Sequence, residues 1–87
     1  MNIELFVLAM QKHKIDAKFI NSSLIEINRI SIYITGNMGQ FGTHKFRFRD
    51  IYDFVSALSQ EDLIYVNIAD KFKIESTYSE LLTKQKV

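Results

Sequence analysis

Apolar residues near the start of the chain recur at the spacing of an α-helix. Ile3, Phe6 and Met10 would share one helical face. Asn2, directly ahead of them, is a favourable N-cap. The spacing therefore predicts a first helix over residues 2–14, and the width of its apolar face predicts that this helix packs on a sheet.

The chain then changes to the period of β-strands and becomes rich in β-branched side chains. A first strand is predicted over residues 17–21, followed by a turn at Asn21–Ser23. Ile25 and Ile27 occupy odd positions, whereas Ile30, Ile32 and Ile34 occupy even ones, so a single flat strand would point the two sets to opposite faces. A bulge or a tight turn must interrupt the pattern at Asn28–Arg29. We expect the bulge, because two-residue hairpins favour Asn-Gly or Asp-Gly.

All three glycines of the chain follow within seven positions, at Gly36, Gly39 and Gly42. We expect them to form a flexible hairpin connection whose tip carries Met38 and Phe41. A phosphate-binding loop is the competing interpretation. Such a loop needs a helix N-terminus after it, whereas a strand pattern follows here.

Residues 43–49 alternate strictly between two kinds of side chain, as a strand with one buried side does. Phe46 and Phe48 are predicted to face the core, with His44 on the same side as a half-buried histidine. The opposite side of this strand is basic, and its members are Lys45, Arg47 and Arg49.

Helical patterns dominate the last part of the chain. Asp50 is the predicted N-cap of a second helix. Thr77 and Glu80 have the spacing of a capping box, which predicts that a final helix begins at Thr77. The apolar run at 63–68 lies between them, and we interpret it as a strand or an extended segment.

These elements predict one α+β domain over residues 1–87. It is an antiparallel sheet of at least three strands with helices packed on one face. The predicted order is α-β-β-β-α, then a strand or coil, then α.

Composition narrows the chemistry that the chain can perform. Eleven basic and ten acidic residues give a net charge of +1, so recognition of a charged partner must depend on local clusters. The absence of cysteine excludes disulfides and thiolate chemistry, and we expect a cytoplasmic location. His13 and His44 lack carboxylates at ligand spacing, so no metal, cofactor or catalytic residue is expected. No apolar run approaches the roughly 18–20 residues needed to cross a bilayer, and we expect no membrane partner.

The basic side of the last strand and the glycine loop form the candidate binding surface. Tyr33 is its expected aromatic member, because alternation places it opposite Ile32 and Ile34. The full set of candidate partner-binding residues is Tyr33, Met38, Gln40, Phe41, Lys45, Arg47 and Arg49. Arginine and aromatic side chains often carry interface energy. The competing interpretation is that a sheet covered on one face shows charge to solvent on the other.

The order of elements resembles two families. An α-β-β-β-α chain is similar to the double-stranded RNA-binding domain, but that family's basic Lys-Lys-x-Ala-Lys motif falls where this chain has the segment RDIYD at 49–53. In size, opening helix, three strands and C-terminal helices, the whole chain resembles the small phage-encoded anti-CRISPR inhibitors. That resemblance implies an inhibitor that occupies a surface of a host nucleic-acid-targeting complex in the host cytoplasm.

We therefore expect a non-catalytic protein-binding inhibitor or adaptor, with a host protein or ribonucleoprotein complex as its partner. The alternative is a small nucleic-acid-binding module that uses the same basic side of the sheet. A homodimer formed through an exposed edge of the sheet is a third hypothesis.

Overall fold

A computed structural model describes residues 2–85 as a five-stranded antiparallel sheet with three helices. The strands form a meander in the order β1-β2-β3-β4-β5, so each strand pairs with its neighbours in the chain. The predicted α+β class is confirmed, with the order α-β-β-β-β-β-α-α. The elements are α1 (Ile3–Lys12), β1 (Ala17–Asn21), β2 (Leu24–Ile27), β3 (Ile30–Thr35), β4 (Met38–Phe41), β5 (His44–Arg47), α2 (Ile51–Gln60) and α3 (Ile68–Gln85).

The first helix forms where the apolar spacing predicted it. The side chain of Asn2 accepts a hydrogen bond from the backbone N–H of Leu5, at 3.1 Å, and so caps the helix. The helix ends at Lys12, and the chain turns away through Lys14, whose φ of 65° is incompatible with a right-handed helix.

The hairpin between β2 and β3 corrects the expected bulge. Asn28 and Arg29 have φ values of 51° and 68°, and Ile27 pairs directly with Ile30. Two consecutive left-handed residues make a tight two-residue turn, which reverses the chain and brings both sets of isoleucines to one face. The expectation failed because an arginine adopts a conformation that asparagine and glycine favour.

The glycine segment is also ordered differently from the predicted flexible loop. Gly36 and Gly42 are each the first residue of a two-residue turn, with φ values of 58° and 57°. The pattern is that of a type II′ hairpin turn, which takes glycine first. The residues between the turns form β4, so Met38, Gln40 and Phe41 lie on a strand and not at a loop tip.

One face of the sheet is covered by the helices. Phe48, at the end of this face, lies between Phe6 of α1 and Phe54 of α2, with ring centroids 6.4 and 5.0 Å away. The helix α3 packs on α1 and α2, and the Tyr78 hydroxyl accepts a hydrogen bond from the backbone N–H of Asn2 at 3.0 Å. The aliphatic core residues that the sheet supplies are Ala17, Ile25, Ile27, Ile32 and Ile34.

The chain between α2 and α3 is irregular, and the last helix begins earlier than predicted. Ile64 and Val66 are buried, although residues 61–67 form no strand. Asn67 accepts a hydrogen bond from the N–H of Asp70 at 2.8 Å, as an N-cap does. Thr77 is therefore in the middle of α3 and not at its start, and its hydroxyl donates to the carbonyl of Lys73.

Within residues 2–85, none of the helices combines the length and the apolar character that crossing a bilayer requires.

Candidate binding surface on the open face of the sheet

The sheet face turned away from the helices is largely exposed, and we call it the open face. Its side chains alternate along each strand with those of the covered face. Strand pairing shows that the open face includes Lys18, Leu24, Glu26, Ser31, Tyr33, Thr35, Met38, Gln40, Lys45 and Arg47.

Strand register brings the predicted residues of this face into two rows across β3, β4 and β5. In one row Gln40 lies between Tyr33 and Lys45. In the next row Met38 lies between Thr35 and Arg47. A shallow depression of about 210 Å³ opens between the rows, with Gly39 at its floor.

Apolar surface lies at the centre of these rows. The residue Tyr33 is 57% exposed and Met38 is 37% exposed, although neither is near a chain end. Leu24 pairs with Tyr33 on the other side and is half-buried. Tyr33 therefore has an apolar neighbour in Leu24 and shares the depression with Met38, which gives the centre of the open face an apolar patch.

The charged residues of the open face are unevenly distributed. Lys45 and Arg47 lie together on the edge strand β5, and neither forms an ion pair with a carboxylate of residues 2–85. Glu26 lies on β2, directly opposite Lys18 of β1. The end of the open face at β5 is therefore basic. At the other end the charges of Lys18 and Glu26 have opposite signs and compensate each other.

Arg49 was predicted to extend the basic row, and in the structure it forms an ion pair with Asp53 of α2. Its Nε lies 3.1 Å from Oδ2 of Asp53, and its backbone N–H donates to the same oxygen at 3.2 Å. The hydrogen bond from the Arg49 side chain, with that from its backbone, holds the pKa of Asp53 below its ordinary value. The same side-chain bond raises the pKa of Arg49. Arg49 thus serves the junction between β5 and α2.

Phe41 was predicted to join the binding surface from a loop tip, and the structure places it on the covered face instead. Its ring stacks on that of His44, with centroids 5.2 Å apart, and contacts Phe46 at 6.0 Å. Its position on β4 is one residue out of phase with Met38 and Gln40, which explains the reversal.

Leu24 and Thr35 belong to the surface but were not among the predicted residues. The alternation that selected Tyr33 also selects Thr35, two residues on. Leu24 needed the register of the β2–β3 hairpin, because only a two-residue turn at Asn28–Arg29 places it opposite Tyr33.

Each of the two histidines contacts one polar side chain of its own. Nε2 of His13 is 2.7 Å from Oγ1 of Thr77, and Nε2 of His44 is 2.6 Å from Oε1 of Glu61. The His44 side chain is 49% exposed and lies on the same face as Phe46, so it is half-buried as its alternation predicted. Over the described part of the chain, no three His, Asp or Glu side chains come together as a metal site would require.

Comparison of the chain with protein-family models, with curated proteins and with solved structures finds no match. The functional conclusion therefore depends on the geometry of the open face. Its main features are a five-stranded hydrogen-bonded sheet, an exposed aromatic centre and a basic edge.

Proposed function

We propose that this chain is a non-catalytic binding protein whose open face docks on a protein partner as an inhibitor or adaptor. One observation carries the proposal: the exposed side chains of Tyr33 and Met38 are held beside Lys45 and Arg47 by strand register. Aromatic, methionine and arginine side chains are enriched in protein interfaces.

The regular strand structure of the surface supports binding to a protein. Tyr33, Met38 and Lys45 are on paired strands, so docking a partner costs little further backbone conformational entropy. The apolar centre has polar neighbours in Gln40 and Thr35, which matches the core and rim of a protein interface.

The partner class that we propose is a host nucleic-acid-targeting complex, which a phage-encoded anti-CRISPR or other anti-defence protein would block. Support for this class comes from the likeness in length and helix placement to small anti-CRISPR inhibitors. The five observed strands exceed the three on which that likeness was based. The near-neutral net charge of +1 favours surface contact by local groups over mimicry of a strongly acidic polymer.

A nucleic-acid-binding module is the alternative that one observation favours. Lys45 and Arg47 point from one strand to the open face without an ion pair to any carboxylate of the described residues, and Tyr33 lies near them. Basic side chains beside an exposed aromatic ring can hold a phosphate backbone and a base. Such binding would weaken steeply as salt rises.

The test is affinity capture from the cells in which the chain acts, followed by binding measurements with the purified captured protein. Lys45→Glu/Arg47→Glu and Tyr33→Ala should each reduce binding to that protein by at least about tenfold, a change typical of losing interface anchors. Lys73→Glu/Lys84→Glu is the matched control. It makes the same change of charge on α3 and should bind as the unmodified chain does.

Two results would overturn the proposal. One is undiminished binding by the Lys45→Glu/Arg47→Glu variant when circular dichroism shows it folded. The other is tight binding to arbitrary duplex or single-stranded oligonucleotides that is lost between about 50 and 200 mM salt, which would establish the nucleic-acid alternative.

A further inference from the structure

The strand β5 is an edge of the sheet, and alternate backbone groups along it point away from β4. The N–H of Phe48 donates to the carbonyl of Asn37, at 2.9 Å, and therefore points toward β4. Because the direction alternates along a strand, the N–H and C=O groups of Lys45 and Arg47 point outward.

These outward groups are unoccupied by other parts of the fold. Neither the backbone of Lys45 nor that of Arg47 makes an additional hydrogen bond with any atom of residues 2–85. The next outward N–H belongs to Arg49 and is taken by Asp53 at 3.2 Å. The free edge therefore has a defined length, from Lys45 to Arg47.

The opposite edge of the sheet is less available. Asp16 directs its carbonyl to the N–H of Asn28, so the carbonyl of Ala17 points outward. Nε2 of Gln11 donates to that carbonyl at 2.8 Å, and α1 packs along β1. A side chain of α1 thus closes part of this edge, whereas the edge at β5 has no such cover among the described residues.

We infer that the partner presents an extended acidic-apolar-acidic segment that adds to β5 as a sixth antiparallel strand. This inference rests on the proposed function and names the chemistry of the partner at the basic end of the open face. Addition of a strand to a free edge supplies main-chain hydrogen bonds, and alternate side chains then provide specificity.

Register decides where the side chains of the added segment lie. Its two outer residues would stand opposite Lys45 and Arg47, on the open face, with their side chains about 6.6 Å apart along the strand. Acidic residues at both positions would meet two cations that have no other ion-pair partner in the described chain. The middle residue would point to the covered face beside Phe46, whose ring contacts Phe54 of α2 at a centroid distance of 5.4 Å, so we expect this residue to be apolar.

A second copy of this chain is a poor occupant of the same edge. Antiparallel pairing of β5 with itself would bring Lys45 and Arg47 of one copy against the same two residues of the other. Like charges directly opposite on a sheet are destabilising. A partner with complementary charge avoids this repulsion.

The test uses a synthetic peptide, acetyl-Thr-Thr-Glu-Val-Glu-Thr-Thr-amide, and the full chain observed by NMR. The peptide should slow amide exchange at Lys45 and Arg47 at least about tenfold more than at Phe46, because only the outward amides gain partners. Replacing both Glu with Lys should weaken binding by at least about tenfold.

N-methylation supplies a matched control for the backbone contribution. N-methyl groups on the two Glu residues should abolish binding, because these amides face β5, whereas an N-methyl group on Val faces away and should preserve it. Equal loss in both methylated peptides, or unchanged exchange at Lys45 and Arg47 under saturating peptide, would overturn the inference. A dimer mass for the free chain in solution, with amides of β5 protected from exchange, would also overturn the inference and would favour a homodimer.

The outcomes separate this inference from the proposed function. Peptide-induced changes at Tyr33, Met38 and Gln40 without protection at β5 would leave open-face binding intact and remove the added strand. Survival of partner binding in the Lys45→Glu/Arg47→Glu variant would instead remove the proposed function itself.

Discussion

The ring of Phe46 lies directly over Gly39 of the neighbouring strand. A Cβ atom on Gly39 would stand 2.8 Å from Cε1 and 2.9 Å from Cε2 of that ring, closer than van der Waals contact allows. The two residues are paired in the β4–β5 register. The aromatic side chain thus fills the space that the glycine leaves on the covered face. The absence of a side chain at Gly39 lets the backbone of β4 lie against the Phe46 ring.

We predict that Gly39→Ala destabilises the fold by about 1–3 kcal/mol, because the added methyl must displace the Phe46 ring. Alanine is otherwise better than glycine in a strand, so the sign of the change distinguishes overlap from propensity. Urea unfolding monitored by circular dichroism measures the free energy. The control is the same substitution in a Phe46→Ala background, where it should be neutral or stabilising. Equal cost in both backgrounds would contradict the close contact.

The turn between β2 and β3 provides a second prediction. Arg29 has a φ of 68°, which costs a residue with a side chain about 1–2 kcal/mol relative to glycine. Arg29→Gly should therefore stabilise the protein by about 0.5–1 kcal/mol after the entropy of glycine in the unfolded chain is subtracted.

Arg29→Ala is the matched control for that turn, because it removes the side chain but keeps the strained backbone. It should give no increase in the free energy of unfolding. An equal gain in both variants would show that the arginine side chain, and not its backbone conformation, is unfavourable.

The same turn shows what the sequence could predict and what it could not. The change of parity between Ile27 and Ile30 located the interruption at Asn28–Arg29, because core positions must share one face. It did not distinguish a bulge from a turn, since either restores the pattern. The decision depended on Arg29 adopting a left-handed conformation that only the paired strands on both sides enforce.

Recognition of β4 failed for a related reason. Gly39 leaves a gap in the apolar alternation of that strand, and the ring that fills the gap comes from β5. The signal available in the sequence was the pair of dipeptides Gly36-Asn37 and Gly42-Thr43, each suited to a two-residue turn. By contrast, Lys45, Arg47 and Phe48 were assigned to the correct faces, because their alternation is local and uninterrupted.

The start of α3 supplies a third prediction. The side chain of Asn67 caps this helix, whereas Thr77 is ten residues inside it. Asn67→Ala should lower the free energy of unfolding by about 1 kcal/mol, and Asn67→Asp should restore most of it, because aspartate also accepts the N–H bond. Thermal or urea unfolding measures both changes. A loss in Asn67→Asp as large as that in Asn67→Ala would contradict the cap.

The junction of Arg49 and Asp53 leads to a prediction about pH. Hydrogen bonds from Arg49 lower the pKa of Asp53 from its ordinary 3.8, so the folded state favours the carboxylate more than the unfolded state does. The stabilisation is then fully present above the unfolded pKa and is lost as pH falls through the lower folded pKa. Because the pair is exposed and screened by solvent, we expect a small effect.

An NMR titration of the Asp53 carboxyl carbon tests this directly. In the unmodified chain its midpoint should lie below 3.8, and in Arg49→Gln it should move upward, because the guanidinium that donates to Oδ2 is gone. The backbone N–H of Arg49 still donates in that variant, so part of the lowering should remain. Identical midpoints in the two proteins would show that the guanidinium does not hold Asp53. In that case only the hydrogen bond from the Arg49 N–H to Asp53 would occupy the β5 edge beyond Arg47.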